Sequence, residues 1–187
     1  MTLGTAPALS LRGPRVTLRP WRDSDRDAFA AMNADPEVMR HFTAPLTRAE
    51  SDAFVDRIVL QFEQHPWGRW ALQIPQLEFA GFVGLGTMPV EVAHPAVQPG
   101  AREIGWRLAR AAWGQGFATE AAALVLDHAL STLGWAQVLS LTAVTNTASQ
   151  AVMRRIGLQP VHEFDHPRIA VGHPLRRHVL FATPLQA

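Results

Sequence analysis

Trp113-Gly114-Gln115-Gly116-Phe117-Ala118-Thr119-Glu120-Ala121 decides how the rest of the chain is read. Before it comes a short strand pattern, Glu103 to Leu108. After it comes an alanine-rich helical run from Gly116 to Leu133, in which Ala118, Ala122, Val125, Ala129 and Leu133 recur at intervals of three or four residues. A strand that turns through two glycines into a helix aims free N–H groups and the positive end of the helix dipole at one spot, which suits an anionic pyrophosphate. Gly114 and Gly116 permit unusual backbone angles, Ala118 keeps the following turn thin, and a side chain at Gly116 would fill the phosphate space. The lysine of a P-loop and the full GxGxxG spacing are missing, so neither motif applies. On this spacing alone, tight packing of a turn against a sheet remains an equal reading.

Outward from this junction, Val16 to Arg19 predicts an opening strand closed by Pro20. Ser24 with Asp27 predicts a capping box and a short helix with Phe29 and Met32 inward. Thr47 with Glu50 predicts a second box and a longer helix, with Phe54, Ile58 and Phe62 inward and Val55 and Val59 widening the stripe. These two helices are expected to wall a cleft. Trp70–Ile74 and Phe79–Met88 read as a hairpin turning over Pro75–Glu78, and Pro89–Gly100 as a surface loop. Val138–Thr142 is a short strand. Ser149–Ile156 is a helix, with Ser149 suited to cap it and Gly157 to end it in the left-handed conformation. Leu158–Phe164 and His178–Phe181 complete the strands. The order indicates an α/β fold with a mixed sheet, a flexible segment over 1–13 and one domain over 14–187.

Composition removes several chemistries. A length of 187 residues with 48% hydrophobic content supports one substantial core. The run Ala121–Leu126 is too short to span a membrane, and no leader pattern opens the chain, so a cytoplasmic location is expected. Cysteine is absent, which excludes disulfides, thiolate catalysis and sulfur-ligated zinc. Tyrosine is absent and all 17 basic residues are arginine, so no phenol and no Schiff-base amine is available. A net charge of +1 with scattered arginines argues against a nucleic-acid partner; the pairs Arg154-Arg155 and Arg176-Arg177 read as solvated surface. His162, His166, His173 and His178, with Glu163 and Asp165, lack convergent ligand spacing, so no metal is expected. His94 reads as a loop residue on the substrate side.

Leu18-Arg19-Pro20-Trp21, Asp35-Pro36-Glu37-Val38-Met39, Glu103-Ile104-Gly105-Trp106-Arg107-Leu108, the stretch from Trp113 to Ala121, and Asn146 to Ser149 together resemble the GNAT N-acetyltransferases, in particular the ribosomal-protein-acetyltransferase-like branch. The likeness runs from Arg15 to Thr183. It implies a single domain with a central mixed, mainly antiparallel sheet, flanking helices and a splayed acyl-CoA cleft between the Glu103 strand and the strand Val138–Thr142. The family's phosphate motif maps onto Trp113, Gly114, Gln115, Gly116, Phe117 and Ala118, with Thr119 next in the helix. Trp113 departs from the usual Arg or Gln, and Arg110 is a candidate to replace its phosphate contact. The resemblance also places the backbone of Arg107, Leu108 and Ala109 along the pantetheine arm and gives Asn146 a part in orienting cofactor or substrate, although Asn146 equally suits a turn or cap.

The same resemblance implies acetyl-CoA as acyl donor, no metal, and a primary amine as acceptor. Glu103 matches an acidic position that accepts the amine proton in some relatives, a role that competes with cation recognition or a structural ion pair. Ser149 stands in for the tyrosine that many relatives use as general acid. An α-amine with a pKa of about 8 is more readily neutral than a lysine with a pKa of about 10.4, which favours a peptide or protein N-terminus. A small-molecule or aminoglycoside amine is the alternative, and a non-catalytic acyl-CoA-binding regulatory domain the non-enzyme one. No membrane or nucleic-acid partner is expected.

Overall fold

Apolar side chains on both faces of the central strands leave one sheet that helices must cover on either side. The computed structural model describes residues 9–88 and 94–185. Among them are β1 (Leu11–Arg12), β2 (Thr17–Arg19), β3 (Arg69–Ile74), β4 (Leu77–Thr87), β5 (Arg102–Leu108), β6 (Val138–Ala143), β7 (Gln159–Asp165) and β8 (Arg177–Ala182). They form one sheet in the order β1-β2-β3-β4-β5-β6-β8-β7. Every neighbouring pair is antiparallel except β5 and β6. The helices are α1 (Asp25–Ala34), α2 (Pro36–Met39), α3 (Arg48–Gln64), α4 (Phe117–Asp127) and α5 (Thr147–Arg155).

Two cores result. Ala121, Ala122 and Val125 of α4 and Met153 of α5 pack with Trp70, Leu72, Ile104 and Leu108. The alanines let α4 lie close to the strands. On the other face, Phe29, Met32, Val38 and Val55 from α1, α2 and α3 cover Ala71, Phe79 and Phe82. The first helices, expected to wall a cleft, therefore pack on the face of the sheet opposite α4.

A buried ion pair joins the two ends of this arrangement. Arg19 of β2 makes a bidentate bond to Asp25 at the start of α1, both contacts at 2.8 Å, with side-chain exposures of 5% and 3%. The remaining guanidinium donors reach Pro20 O, Glu78 O and Gln73 Oε1. Asp25 also accepts from the Arg22 N–H at 2.8 Å. The pair is fully hydrogen-bonded, which is the condition under which buried charge is tolerated.

Several expectations require correction. Ser24 sits at the N-cap of α1 in a helical conformation and makes no side-chain cap bond; the Asp25 carboxylate instead accepts from the Arg22 N–H just before the helix. Thr47 and Glu50 do form the reciprocal box. Val59 is 41% exposed and lies off the buried stripe of α3. Leu11–Arg12 of the expected flexible segment forms β1 against β2, while residues 1–8 lie outside the described residues. The helix expected to reach Leu133 ends as α-helix at Asp127 and continues through one π turn, His128–Thr132, where the Leu133 N–H bonds His128 O. Of the loop Pro89–Gly100, residues 89–93 lie outside the described residues.

Asp25→Ala should lower the urea-unfolding free energy by about 3–5 kcal/mol, because Arg19 would remain buried without its counter-charge. Asp27→Ala, which removes only an exposed partner of Arg48, should change it little.

Candidate active site

β5 and β6 run parallel, yet they pair only at Arg102↔Val138 and Glu103↔Leu139 before diverging. The Ser140 hydroxyl bridges the fork, donating to Ile104 O at 2.9 Å and satisfying a carbonyl that β6 no longer reaches. Beyond it β5 has an open edge. The Ala109 N–H bonds Ala80 O, and the β4–β5 register pairs Arg107 with Phe82. Antiparallel alternation therefore turns the backbone of Arg107 and the N–H of Ala109 toward β4, and those of Trp106 and Leu108 into the wedge. Of the backbones expected along the arm, that of Leu108 faces the wedge, as does that of Trp106. The backbones of Arg107 and Ala109 are already engaged.

Both glycines of the turn are left-handed, Gly114 at φ 73° and Gly116 at φ 82°. Gly116 is the N-cap of α4, and no side chain caps it. The first-turn N–H groups of Phe117, Ala118 and Thr119 thus point outward beneath the helix dipole. A Cβ on Gly114 would meet nothing within 4 Å, and one on Gly116 only the Arg15 guanidinium at 3.4 Å. An amide-bearing arm in the wedge with a pyrophosphate at its end fits these features. Trp113 does not replace the missing charged side chain: its indole N–H folds back to Leu108 O at 2.8 Å and ties the turn to the strand. Arg110 lies 3.8 Å from Asp35.

The cation beside the turn is Arg15, which sequence reasoning missed. Its Nε bonds Glu120 at 2.8 Å, its Nη1 bonds Gln115 O at 3.0 Å, and its guanidinium lies over the Phe117 ring at 5.1 Å. Glu120, in the first turn of α4, also accepts from the Arg15 N–H at 2.7 Å. A pairing across 105 residues leaves no local pattern in one sequence. Arg15 holds the Gln115 carbonyl aside and brings positive charge to the mouth of the turn.

On the face toward α1 and α3, Glu103, Gly105 and Arg107 stand in a row along β5, with no side chain between the carboxylate and the guanidinium. Glu103 is 15% exposed and lies 3.6 Å from Arg69 Nη2, which reaches it across Gly86; any Cβ on Gly86 would collide with that guanidinium. Burial pushes the Glu103 carboxyl up to about 7, against the opposing pull of Arg69. Arg107 donates from Nη1 to Asn33 Oδ1 and stacks on Phe42 at 4.2 Å. Asn33 is in turn fixed by a bond to Ser51 Oγ at 2.8 Å. Arg69 and Asn33 were missed as well; a polar residue on the buried stripe of α1 was the available signal for Asn33.

Asn146, not Ser149, caps α5: its Oδ1 accepts from the Ser149 N–H at 3.2 Å. Its Nδ2 donates to Thr142 Oγ1 at 2.9 Å and to Ser149 Oγ at 3.1 Å, so the amide is engaged within its own turn. Ser149 Oγ accepts one bond and keeps its O–H free to donate. Among the described residues, no group of three or more His, Asp or Glu side chains is arranged to hold a metal ion. His162 stacks on His94 and His166 lies against His178.

The displaced Glu103 titration predicts a stability signature. The folded state keeps the proton up to about 7, whereas the unfolded carboxyl releases it near the reference value of 4.5. Between those pH values the folded state binds more protons, so stability falls as pH rises. Glu103→Gln should flatten this decline, gaining Tm relative to wild type as pH goes from 4.5 to 8. Parallel wild-type and mutant curves over that range would contradict it.

The acetyltransferase (GNAT) domain pattern matches residues 15–159 of this chain. FsC-acetyl coenzyme A-N(2)-transacetylase of Aspergillus fumigatus is 29% identical over 177 residues, covering 88% of this chain and 70% of that protein. Among solved structures, the RimL ribosomal L7/L12 α-N-protein acetyltransferase in complex with coenzyme A superposes with a TM-score of 0.76 at 17% identity, over 95% of this chain and 98% of that one. Mycobacterium smegmatis RimJ in complex with CoA-disulfide gives 0.71 at 22% identity, over 96% and 87%. The matched residues carry the wedge, the glycine turn and the helices that flank them, and the chain belongs to the GNAT family of acetyltransferases, which transfer an acyl group from acyl-CoA to an amine.

Proposed function

We propose that the protein acetylates an α-amine, taking the acetyl group from acetyl-CoA, with the N-terminal amine of a peptide or protein as the acceptor. The observation that carries this reading is Glu103: a carboxyl held near neutrality, beside open space over Gly105, where an added Cβ would touch only Glu103 Oε1 at 3.8 Å. A base of that strength is matched to an amine that is itself close to neutral at pH 7.

The remaining residues take roles that follow from their positions. The uncapped start of α4, from Gly114 to Thr119, receives the pyrophosphate, with Arg15 alongside. Trp106 and Leu108 offer backbone groups to the amide arm, which would otherwise lose its hydrogen bonds to water. The donor supplies a thioester carbonyl, and the Leu108 N–H, free in the wedge, is the donor for charge developing on its oxygen. Glu103 accepts a proton from the amine. Ser149 keeps its O–H available for the departing thiolate while Asn146 holds its oxygen.

A small-molecule amine is the second reading, favoured by the 29% identity to a protein named as an N(2)-transacetylase. A polycationic aminoglycoside fits less well, because Arg69 and Arg107 face the same space as Glu103. A regulatory domain that only binds acyl-CoA would give saturable binding without thiol release.

Three folded variants test the assignment. Gly116→Trp, whose side chain enters open space at the helix start, should weaken CoA binding by about ten-fold or more in a titration, with a folding cost of about 1–2 kcal/mol for a left-handed non-glycine residue. No CoA binding by wild type would remove the reading altogether. In initial-rate kinetics with a peptide acceptor, wild-type kcat/KM should rise with pH through about 7 as Glu103 ionises. Glu103→Gln should lose that limb while still binding acetyl-CoA. Ser149→Ala should lower kcat with little change in acetyl-CoA affinity, and wild-type kinetics in both variants would leave neither residue a catalytic role.

A further inference from the structure

Arg69 and Arg107 contrast with Arg19, the other buried arginine among the described residues. Arg19, more deeply buried than either, is answered by a bidentate carboxylate and three further acceptors. Arg107 is 9% exposed, yet among the described residues no carboxylate pairs with it. Its one side-chain hydrogen bond goes to neutral Asn33, and its Nε is buried with no acceptor. Arg69 makes no hydrogen bond to a protein acceptor among the described residues; its ion pair with Glu103, at 3.6 Å, is long. Burial depresses both guanidinium groups, with Arg69 adding to the depression at Arg107 and Arg57 at Arg69; Arg107 stands at about 10 and so remains charged at neutral pH. Leaving two cations half-desolvated beside one reluctant carboxylate costs free energy that an anion in the same space would recover.

The phosphates of acetyl-CoA do not supply that anion. The start of α4 belongs to the face of the sheet that carries Ile104 and Leu108, whereas Arg69 and Arg107 project with Glu103 onto the opposite face, among Phe42, Phe54 and Phe82. The space over Gly105 lies in that same row, between Glu103 and Arg107, and is bounded by little but the Glu103 carboxyl. Whatever enters it meets a proton acceptor at one end and guanidinium donors at the other.

We propose that the acceptor carries a carboxylate close to its amine, seated against Arg69 and Arg107 while the amine faces Glu103. This rests on the reading of that face as the acceptor side. Arg107 is held in one orientation by Asn33 and the Phe42 ring, and Arg69 by its passage across Gly86, so both donors are fixed before the ligand arrives. The carboxylate could be that of a free α-amino acid or an acidic side chain at a peptide N-terminus. The chemistry of recognition is the same.

The test pairs acids with their amides under saturating acetyl-CoA: aspartyl-alaninamide against asparaginyl-alaninamide, and alanine against alaninamide, with spermidine as a cationic control. Rates are normalised to the neutral fraction of each amine, since a free carboxylate raises the amine pKa. Wild type should prefer the acid in at least one pair by about ten-fold or more, the scale of one charge-assisted hydrogen bond. Which pair shows the preference identifies the source of the carboxylate. Arg69→Gln should bring that ratio close to one and Arg69→Lys should restore part of it; Arg107→Gln, if folded, should act in the same direction. Equal use of acid and amide by wild type, or an unchanged ratio in Arg69→Gln, overturns this inference alone. Acetyl-CoA binding with no transfer to any member of the panel overturns it together with the acetyl-transfer reading.

Discussion

The parting of β5 from β6 is the constraint on which the site depends. A parallel pair that continued past Glu103↔Leu139 would consume the backbone groups of Trp106 and Leu108 and leave no wedge. The divergence would strand the Ile104 carbonyl in the interior, and Ser140 removes that cost with a single hydroxyl. At the open end, Trp113 returns its indole to Leu108 O, so the glycine turn keeps a fixed relation to the strand edge. The helix start and the free N–H of Leu108 are thereby presented together at the open end of the wedge, where the proposed reading gives one to a phosphate and the other to a carbonyl oxygen.

The two faces of β5 then divide the labour. Even-numbered residues bury Ile104 and Leu108 under α4, and this rigid packing supports the turn. Odd-numbered residues place Glu103 and Arg107 beneath α1 and α3. Desolvation acts on all three charged groups there, raising the carboxyl and lowering both guanidinium groups. The Arg19–Asp25 pair, also a guanidinium with a carboxylate but more deeply buried, is closed and serves the fold. Arg69 and Glu103 stay at 3.6 Å with 21% and 15% of their side chains exposed, which leaves both able to meet a ligand.

Much of this was legible in the sequence where the signal was local. The glycine turn, the Thr47–Glu50 box, the alanine-rich face of α4 and the left-handed Gly157 each follow from spacing within a few residues. Their physical causes act over one or two turns of chain. Ser24 and Ser149 misled for a local reason: both are good cap residues, but Ser24 takes a helical conformation and makes no cap bond, and α5 starts three residues earlier, where Asn146 caps it. Arg15, Arg69, Asn33 and Ser140 escaped because their partners lie in distant strands and helices. The backbone parity that exchanges Arg107 and Ala109 for Trp106 likewise depends on register with β4, which composition does not encode.

Proton accounting links the composition to the acceptor. With no tyrosine and no lysine in the chain, the proposed reading assigns proton movement to Glu103 and hydrogen-bond donation to the hydroxyl of Ser149. Transfer from an α-ammonium of pKa about 8 to a carboxylate of pKa about 7 is uphill by about 1.4 kcal/mol. The same transfer from a lysine ammonium of pKa about 10.4 is uphill by about 4.6 kcal/mol, a difference of more than two orders of magnitude in the population of neutral amine. On the other side of the reaction, a thiolate whose acid has a pKa of about 8.5 departs with modest help, and a serine hydroxyl that only donates a hydrogen bond is adequate to it. The absence of a stronger acid is therefore compatible with this leaving group, and the weakness of the base points to the α-amine. A carboxylate on the acceptor would raise the pKa of its own amine as well as that of Glu103, so what the anion offers this site is the pairing of Arg69 and Arg107 and not a stronger base.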